Sequence, residues 1–255
     1  MKIVLVLVLV FALVISAVPA SVIAAEQQPT KVLIVTGIDH PAHHWRQTAP
    51  ALSDVLSKDS RLDVRIVEDP HFLDSSALDR YAVVVLHFMP WQKPTPGPAA
   101  RANLRKFVDG GKGLFILHFG CGAFQDWPEF RNLAGRVWDP QKRAHDPRGP
   151  FRVNIIEKDH PITRGMESFE TQDELYTCLV GERPVDLLAT ARSKVDGKDY
   201  PMAFVFKYGR GRVFHTALGH DVTAVRNPAA SELFRRGCAW AAGLSPVRQA
   251  QETQK

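Results

Sequence analysis

Six of the ten histidines in this 255-residue chain, His40, His43, His44, His87, His118 and His220, stand at or just beyond apolar runs that read as β-strands. Imidazole moves protons near neutral pH and binds borderline divalent metals. If those runs are parallel strands, their carboxyl ends share one edge of a sheet, where residues distant in sequence meet. His118 has the sharpest placement. The stretch Gly113 to Gly122, G-L-F-I-L-H-F-G-C-G, is an apolar run that ends in this histidine and opens into a glycine turn. His220 is followed by Asp221, and a carboxylate beside an imidazole can orient it or raise its basicity. In the loop G-I-D-H-P-A-H-H-W, His40 is the first candidate for a substrate contact and His44 the next. His145 joins them only if its polar, turn-rich segment folds over the sheet edge. His71, His160 and His215 are read as structural.

No H-E-x-x-H and no paired C-x-x-C occurs, so a metal site here must be assembled from separate loops. The expected cofactor is a divalent ion held by His118, His220 and His145; no nucleotide cofactor is expected. Asp173 and Glu174 are the most suggestive acids. Glu174 is expected either as a base or as a further ligand, with an exposed charged pair as the plain alternative. The expected catalytic set is therefore His118, His220 and Glu174. Trp91, Trp127 and Trp138 fall in edge loops, where indole faces stack on sugar rings or simply pack. Trp91, Trp127 and Asp221 are taken, with His40 and His44, as substrate contacts.

The elements that must position these groups follow from periodicity. Lys31–Thr36 is a β-branched run expected as a central parallel strand, followed by a helix from Trp45 to Ser57. Leu62–Val67 and Tyr81–His87 are further strands, separated by a short turn or helix over Leu73–Arg80. Four prolines between Met89 and Pro98 make that loop rigid and irregular. A helix over Ala99–Asp109 ends at Gly110 and Gly111. A short helix is expected over Phe124–Leu133 and a strand over Phe151–Glu157, with Phe169–Tyr176 undistinguished. Three strands, Asp186–Ala191, Pro201–Lys207 and Arg212–Ala217, precede a last helix, Pro228–Ala242, opened by Asn227 and Pro228. Alternating strands and helices followed mostly by strands predict a parallel sheet with an antiparallel extension.

Composition narrows the class. Lys2, the apolar run Ile3–Val18 and the small residues up to Ala25 read as a secretory signal peptide over residues 1–25, which predicts a secreted or periplasmic protein. A single α/β domain is expected over 26–245 and a polar tail over 246–255. No second stretch is apolar enough to span a bilayer. The net charge of +5 is spread along the chain rather than gathered in a basic stripe, which argues against nucleic-acid binding. Three widely spaced cysteines, Cys121, Cys178 and Cys238, do not make a disulfide framework.

The motifs K-V-L-I-V-T-G, G-K-G-L-F-I-L-H-F-G, D-H-P-I-T-R-G, D-E-L-Y and Y-G-R-G-R-V-F-H-T-A-L-G-H-D together resemble the ThuA-like (trehalose utilisation) family over about Lys31 to Leu244. The resemblance implies a flavodoxin-like, class I glutamine amidotransferase-like three-layer α/β sandwich. It also implies a role in sugar catabolism; together with the leader, the expectation is an exported enzyme cleaving or rearranging an oxidised 3-keto glycoside by His-based acid/base or metal-assisted chemistry. The alternative is a non-catalytic carbohydrate-binding or accessory protein. A small carbohydrate is the expected partner, and a homo-oligomer or an oxidoreductase partner is allowed. Aligned with the amidotransferase elbow, His118 takes the nucleophile's position and Cys121 falls three residues late. Amidotransferase and cysteine-protease chemistry is therefore rejected.

Overall fold

The computed structural model describes residues 28–247. The leader expected over residues 1–25 and the tail from residue 248 onward lie outside the described residues. In chain order the elements are β1 (Thr30–Val35), α1 (Trp45–Leu56), β2 (Leu62–Val67), β3 (Val83–Leu86), α2 (Pro98–Asp109), β4 (Gly113–Leu117), α3 (Phe130–Ala134) and β5 (Val137–Trp138). Then come β6 (Gly149–Ile155), β7 (Phe169–Asp173), β8 (Leu179–Val180), β9 (Asp186–Arg192), β10 (Asp199–Tyr208), β11 (Gly211–Thr216), α4 (Val222–Val225) and α5 (Pro228–Ala241).

Nine strands form one sheet in the order β2-β1-β3-β4-β11-β10-β9-β6-β7, and β5 and β8 make a separate two-stranded ribbon. The first five run parallel to one another. The remaining four are antiparallel. The order 2-1-3-4-5 of the parallel half is the flavodoxin-like one. The chain moves one way from β1 to β2 and the opposite way from β3 to β4. Right-handed crossovers then place α1 and α2 on opposite faces, and α5 packs beside α1. Both faces being covered, β1, β3 and β4 carry apolar runs that are buried nearly throughout, such as Val83–Leu86.

Three local expectations change. The helix foreseen over Phe124–Leu133 shrinks to α3, because Pro128 supplies no N–H and breaks the turn before it. Phe169–Asp173 is an edge strand with alternating burial. The β5/β8 ribbon was too short to carry a periodic signal. The three cysteines are buried free thiols. Burial pushes Cys121 well above its ordinary value and Cys178 up to about 12, so neither presents a reactive thiolate at neutral pH.

His215, expected to be structural, lies wholly buried in β11. Its Nδ1 donates to the Ala134 carbonyl oxygen at 3.0 Å, while Nε2 has no partner. Burial, only partly offset by that bond, lowers its pKa to about 4. Unfolded, the ring ionises near its ordinary 6.5. Below that pH the unfolded chain binds the extra proton, so stability falls until about pH 4, where the folded protein takes it up too. Each tenfold difference in proton affinity between the two states is worth ~1.4 kcal/mol, so the loss attributable to this ring is about 3 kcal/mol. Urea unfolding at pH 7 and pH 4.5 should show this acid sensitivity reduced in His215→Asn. An unchanged pH slope in the variant would remove His215 as its source.

Candidate active site

Four loops meet at the carboxyl edge of the parallel half-sheet. His43 follows β1, His118 follows β4, His220 follows β11, and Glu174 with Tyr176 follows β7. The loop after β1 is held by Asp39, which accepts from Trp45 Nε1 at 2.8 Å and from the Arg46 guanidinium. Gly37 must be glycine: its φ is +113°, and a Cβ would sit 2.0 Å from the Glu68 carbonyl oxygen. Within the loop His40 and His43 form an isolated antiparallel bridge, and the His43 ring stacks on Phe119 at 4.5 Å.

His118 occupies the elbow. Its φ is +47°, one of two positive values among the described non-glycine residues. Such a backbone costs on the order of 1–3 kcal/mol and is kept where the surroundings enforce it. Here they do. The side chain is fully buried, and Gly120 two residues on lets the turn press against β3, where a Cβ would lie 2.2 Å from the Leu86 carbonyl oxygen. A histidine facing a carbonyl must donate to it. His118 Nδ1 therefore carries its proton toward Ala217 O at 2.7 Å, leaving the Nε2 lone pair to accept from the Tyr176 hydroxyl at 2.8 Å.

Glu174 joins the other rings. Its Oε2 lies 3.1 Å from His220 Nδ1 and 3.5 Å from His118 Nε2, and its Oε1 lies 3.6 Å from His145 Nε2. The His220 contact is a close charge contact off the line of a hydrogen bond. Burial pushes the Glu174 carboxyl up, but its close contacts with the His118 and His220 rings outweigh it, holding the group well below the usual range. Conversely, burial depresses His220 and the Glu174 carboxylate more than compensates, raising the ring above its ordinary value. His43 is driven far down, by burial first and then by the neighbouring rings of His118, His40 and His220, so it keeps a free lone pair. The loop carrying His220 is pinned from below by Asp173. That buried carboxylate accepts from the backbone N–H groups of Gly219 at 2.7 Å, Glu174 at 2.8 Å and His220 at 3.1 Å.

One ring nitrogen each of His43, His118 and His220 lies within 4.8 Å of the others, a spacing that could hold a metal ion. The donor set suits one once the Tyr176 hydroxyl gives up the Nε2 lone pair of His118. His118 has its far nitrogen committed to a backbone carbonyl and His220 faces a carboxylate, the partners that orient metal-binding histidines, and His43 Nδ1 is buried with no partner.

The sequence reading and this geometry differ in three places. His43, named only as one of three loop histidines, belongs to the triad in place of His145, which reaches the site through Glu174. The carboxylate that serves His220 is Glu174, because Asp221 caps α4 through Ala224 N at 3.0 Å and pairs with Arg148. Tyr176 was missed, although it lies two residues beyond Glu174 and so on the same side of an extended chain. His40 and Trp91 stand together at the rim with ring centroids 5.1 Å apart. His44 is exposed at the start of α1. Trp127 packs on Phe124 and Phe130 in a neighbouring cleft with Trp138.

A family model described as ThuA, trehalose utilisation, matches residues 31–241. A ThuA-like protein from Parabacteroides merdae is similar in structure with a TM-score of 0.76 at 24% identity, covering 88% of this chain and 94% of that one. A second ThuA-like protein, from Bacteroides uniformis, gives 0.67 at 19% identity, covering 87% and 96%. A GMP synthase component from Thermoplasma acidophilum gives 0.53 at 15% identity, covering 84% and 96%, which carries the amidotransferase-like fold. Comparison with curated protein sequences gives no match.

Proposed function

The chain belongs to the ThuA, trehalose utilisation, family, and on that premise we propose that its histidine cluster is the centre of an exported enzyme that cleaves an oxidised, 3-keto glycoside. The observation that carries this reading is the convergence of three imidazole nitrogens within 4.8 Å beside the shared carboxylate of Glu174. His43, His118 and His220 would hold a divalent cation, and when bound it supplies stabilisation of negative charge developing on the ketone oxygen.

The ketone at C3 acidifies the C–H at C2. Glu174 Oε1, the oxygen not committed to His220, removes that proton. The C–H electron pair moves into the carbonyl, and its return expels the C1 oxygen with the leaving alcohol, which takes up a proton. Water then adds at C1 and C2 regains a proton, so the net change is hydrolysis. His145 Nε2 lies 3.6 Å from Oε1 on a side chain 32% exposed, against 0% for His118, and relays the proton to solvent. Its Nδ1 meets the Asp146 carbonyl oxygen at 2.7 Å, which fixes the ring. His40 and Trp91 at the rim are positioned to meet the sugar. A dehydrogenase that oxidises glycosides is the class of enzyme that must supply this substrate.

The test pairs metal analysis of the purified full chain with a screen of glycosides and their 3-keto derivatives. Roughly one divalent ion per chain and release of sugar from the keto forms alone is the expected result. Saturable sugar binding with neither metal nor turnover would instead identify an accessory binding protein.

A further inference from the structure

A second cleft, of about 430 Å³, opens beside the histidine cluster between the turn before α3 and the turn after β5. None of the histidines lines it, and its size lies within the roughly 300–1,000 Å³ typical of small-molecule sites. Two half-buried indoles, Trp127 and Trp138, form its apolar walls. Arg131, Gln125 and Gln141 also line it, and among the described residues their side chains make no hydrogen bond or ion pair. Asp139, whose Oδ1 caps the following turn through Gln141 N at 2.9 Å, completes the polar part.

This combination selects a ligand class. One guanidinium balanced by one carboxylate gives no net positive charge for a phosphate. The side-chain amides of Gln125 and Gln141, which both donate and accept, suit hydroxyl groups, which do the same. Indole faces suit the flat C–H surface of a pyranose ring. We propose that the cleft is a second carbohydrate subsite, taking a neutral pyranose ring independently of the metal centre. Its ligand class rests on the sugar-processing reading above.

Trp138 is the wall shared with that centre. Its ring meets Tyr176 edge-on at 5.2 Å and packs against the cluster of Trp45, Met89 and Phe119. Tyr176 in turn holds His118. A glycoside of more than one ring would thus be gripped on the far side of Trp138 from the reacting unit.

The full chain, dialysed against chelator, is titrated with trehalose by calorimetry. Saturable binding is expected in the wild type, weakened at least tenfold in Arg131→Ala and lost in Trp127→Ala. Arg131 is exposed and unpartnered, so its variant should keep the wild-type unfolding temperature even if loss of Trp127 perturbs α3. No binding by the chelated wild type, or unchanged affinity in both variants, overturns the proposal. Its failure is distinct from that of the proposed function. Trehalose bound here with no turnover of keto-glycosides rejects the enzyme and keeps the subsite, whereas turnover without chelator-resistant binding does the reverse.

Discussion

Glu174→Gln is expected to lower kcat on a 3-keto glycoside by roughly 10³-fold, within the span usual for loss of a positioned acid or base, while the protein stays folded. The substitution keeps the size of the side chain and changes its charge. It removes the oxygen that takes the C2 proton and weakens the contact with His220 Nδ1 at 3.1 Å. The site is buried enough that water is a poor substitute, since Glu174 is only 7% exposed. Because Glu174 is not one of the three metal-facing imidazoles and the carboxamide keeps an oxygen beside His220, metal content should fall far less than turnover. The measurement is therefore double: steady-state kinetics alongside metal analysis on the same preparation. Turnover within a few-fold of wild type would remove Glu174 as the base. An equal collapse of metal content and turnover would reduce it to a residue that orients His220.

His43→Ala should weaken binding of a divalent metal such as zinc by at least 100-fold, or about 3 kcal/mol, read by competition with a chelator of known affinity. The triad offers one nitrogen from each of three loops, and taking one away leaves two donors where a tightly bound ion needs three or four. The cost to the fold is smaller. His43 stacks on Phe119 and is 6% exposed, but its Nδ1 has no partner to lose. His145→Ala is the control that separates two ligand sets: metal affinity should survive it, while turnover drops through loss of the relay. If zinc binding instead survives His43→Ala and vanishes in His145→Ala, the ion sits on the other side of Glu174 and the triad is misassigned.

Part of this site is legible in the chain. An apolar run that stops at His118 before F-G-C-G states both a buried strand and a turn. Since parallel strands share their carboxyl edge, His118 and His220 had to lie near one another once β4 and β11 paired. His43 was not separable from His40 and His44 in the same way. Which of three closely spaced imidazoles turns inward depends on a bridge between His40 and His43 and on the ring of Phe119, contributed by another loop. Glu174 and Asp221 show the same limit. Adjacency in sequence favours Asp221 as the partner of His220, but its carboxylate is drawn to the first turn of α4 and to Arg148, 73 residues away.

What the sequence determines by itself, then, is the frame: a mostly parallel α/β sheet with an antiparallel extension and a histidine where a buried strand opens into a glycine turn. Those features follow from local periodicity, turn chemistry and the fixed hand of strand crossovers, all of which act over short stretches of chain. Tertiary structure alone decides which nitrogens face one another. That depends on contacts between loops, where β7, at the far edge of the sheet, sends Glu174 and Tyr176 back to rings that follow β4 and β11. Differences of a few ångströms there separate a metal ligand from a rim contact, and no short-range pattern encodes them.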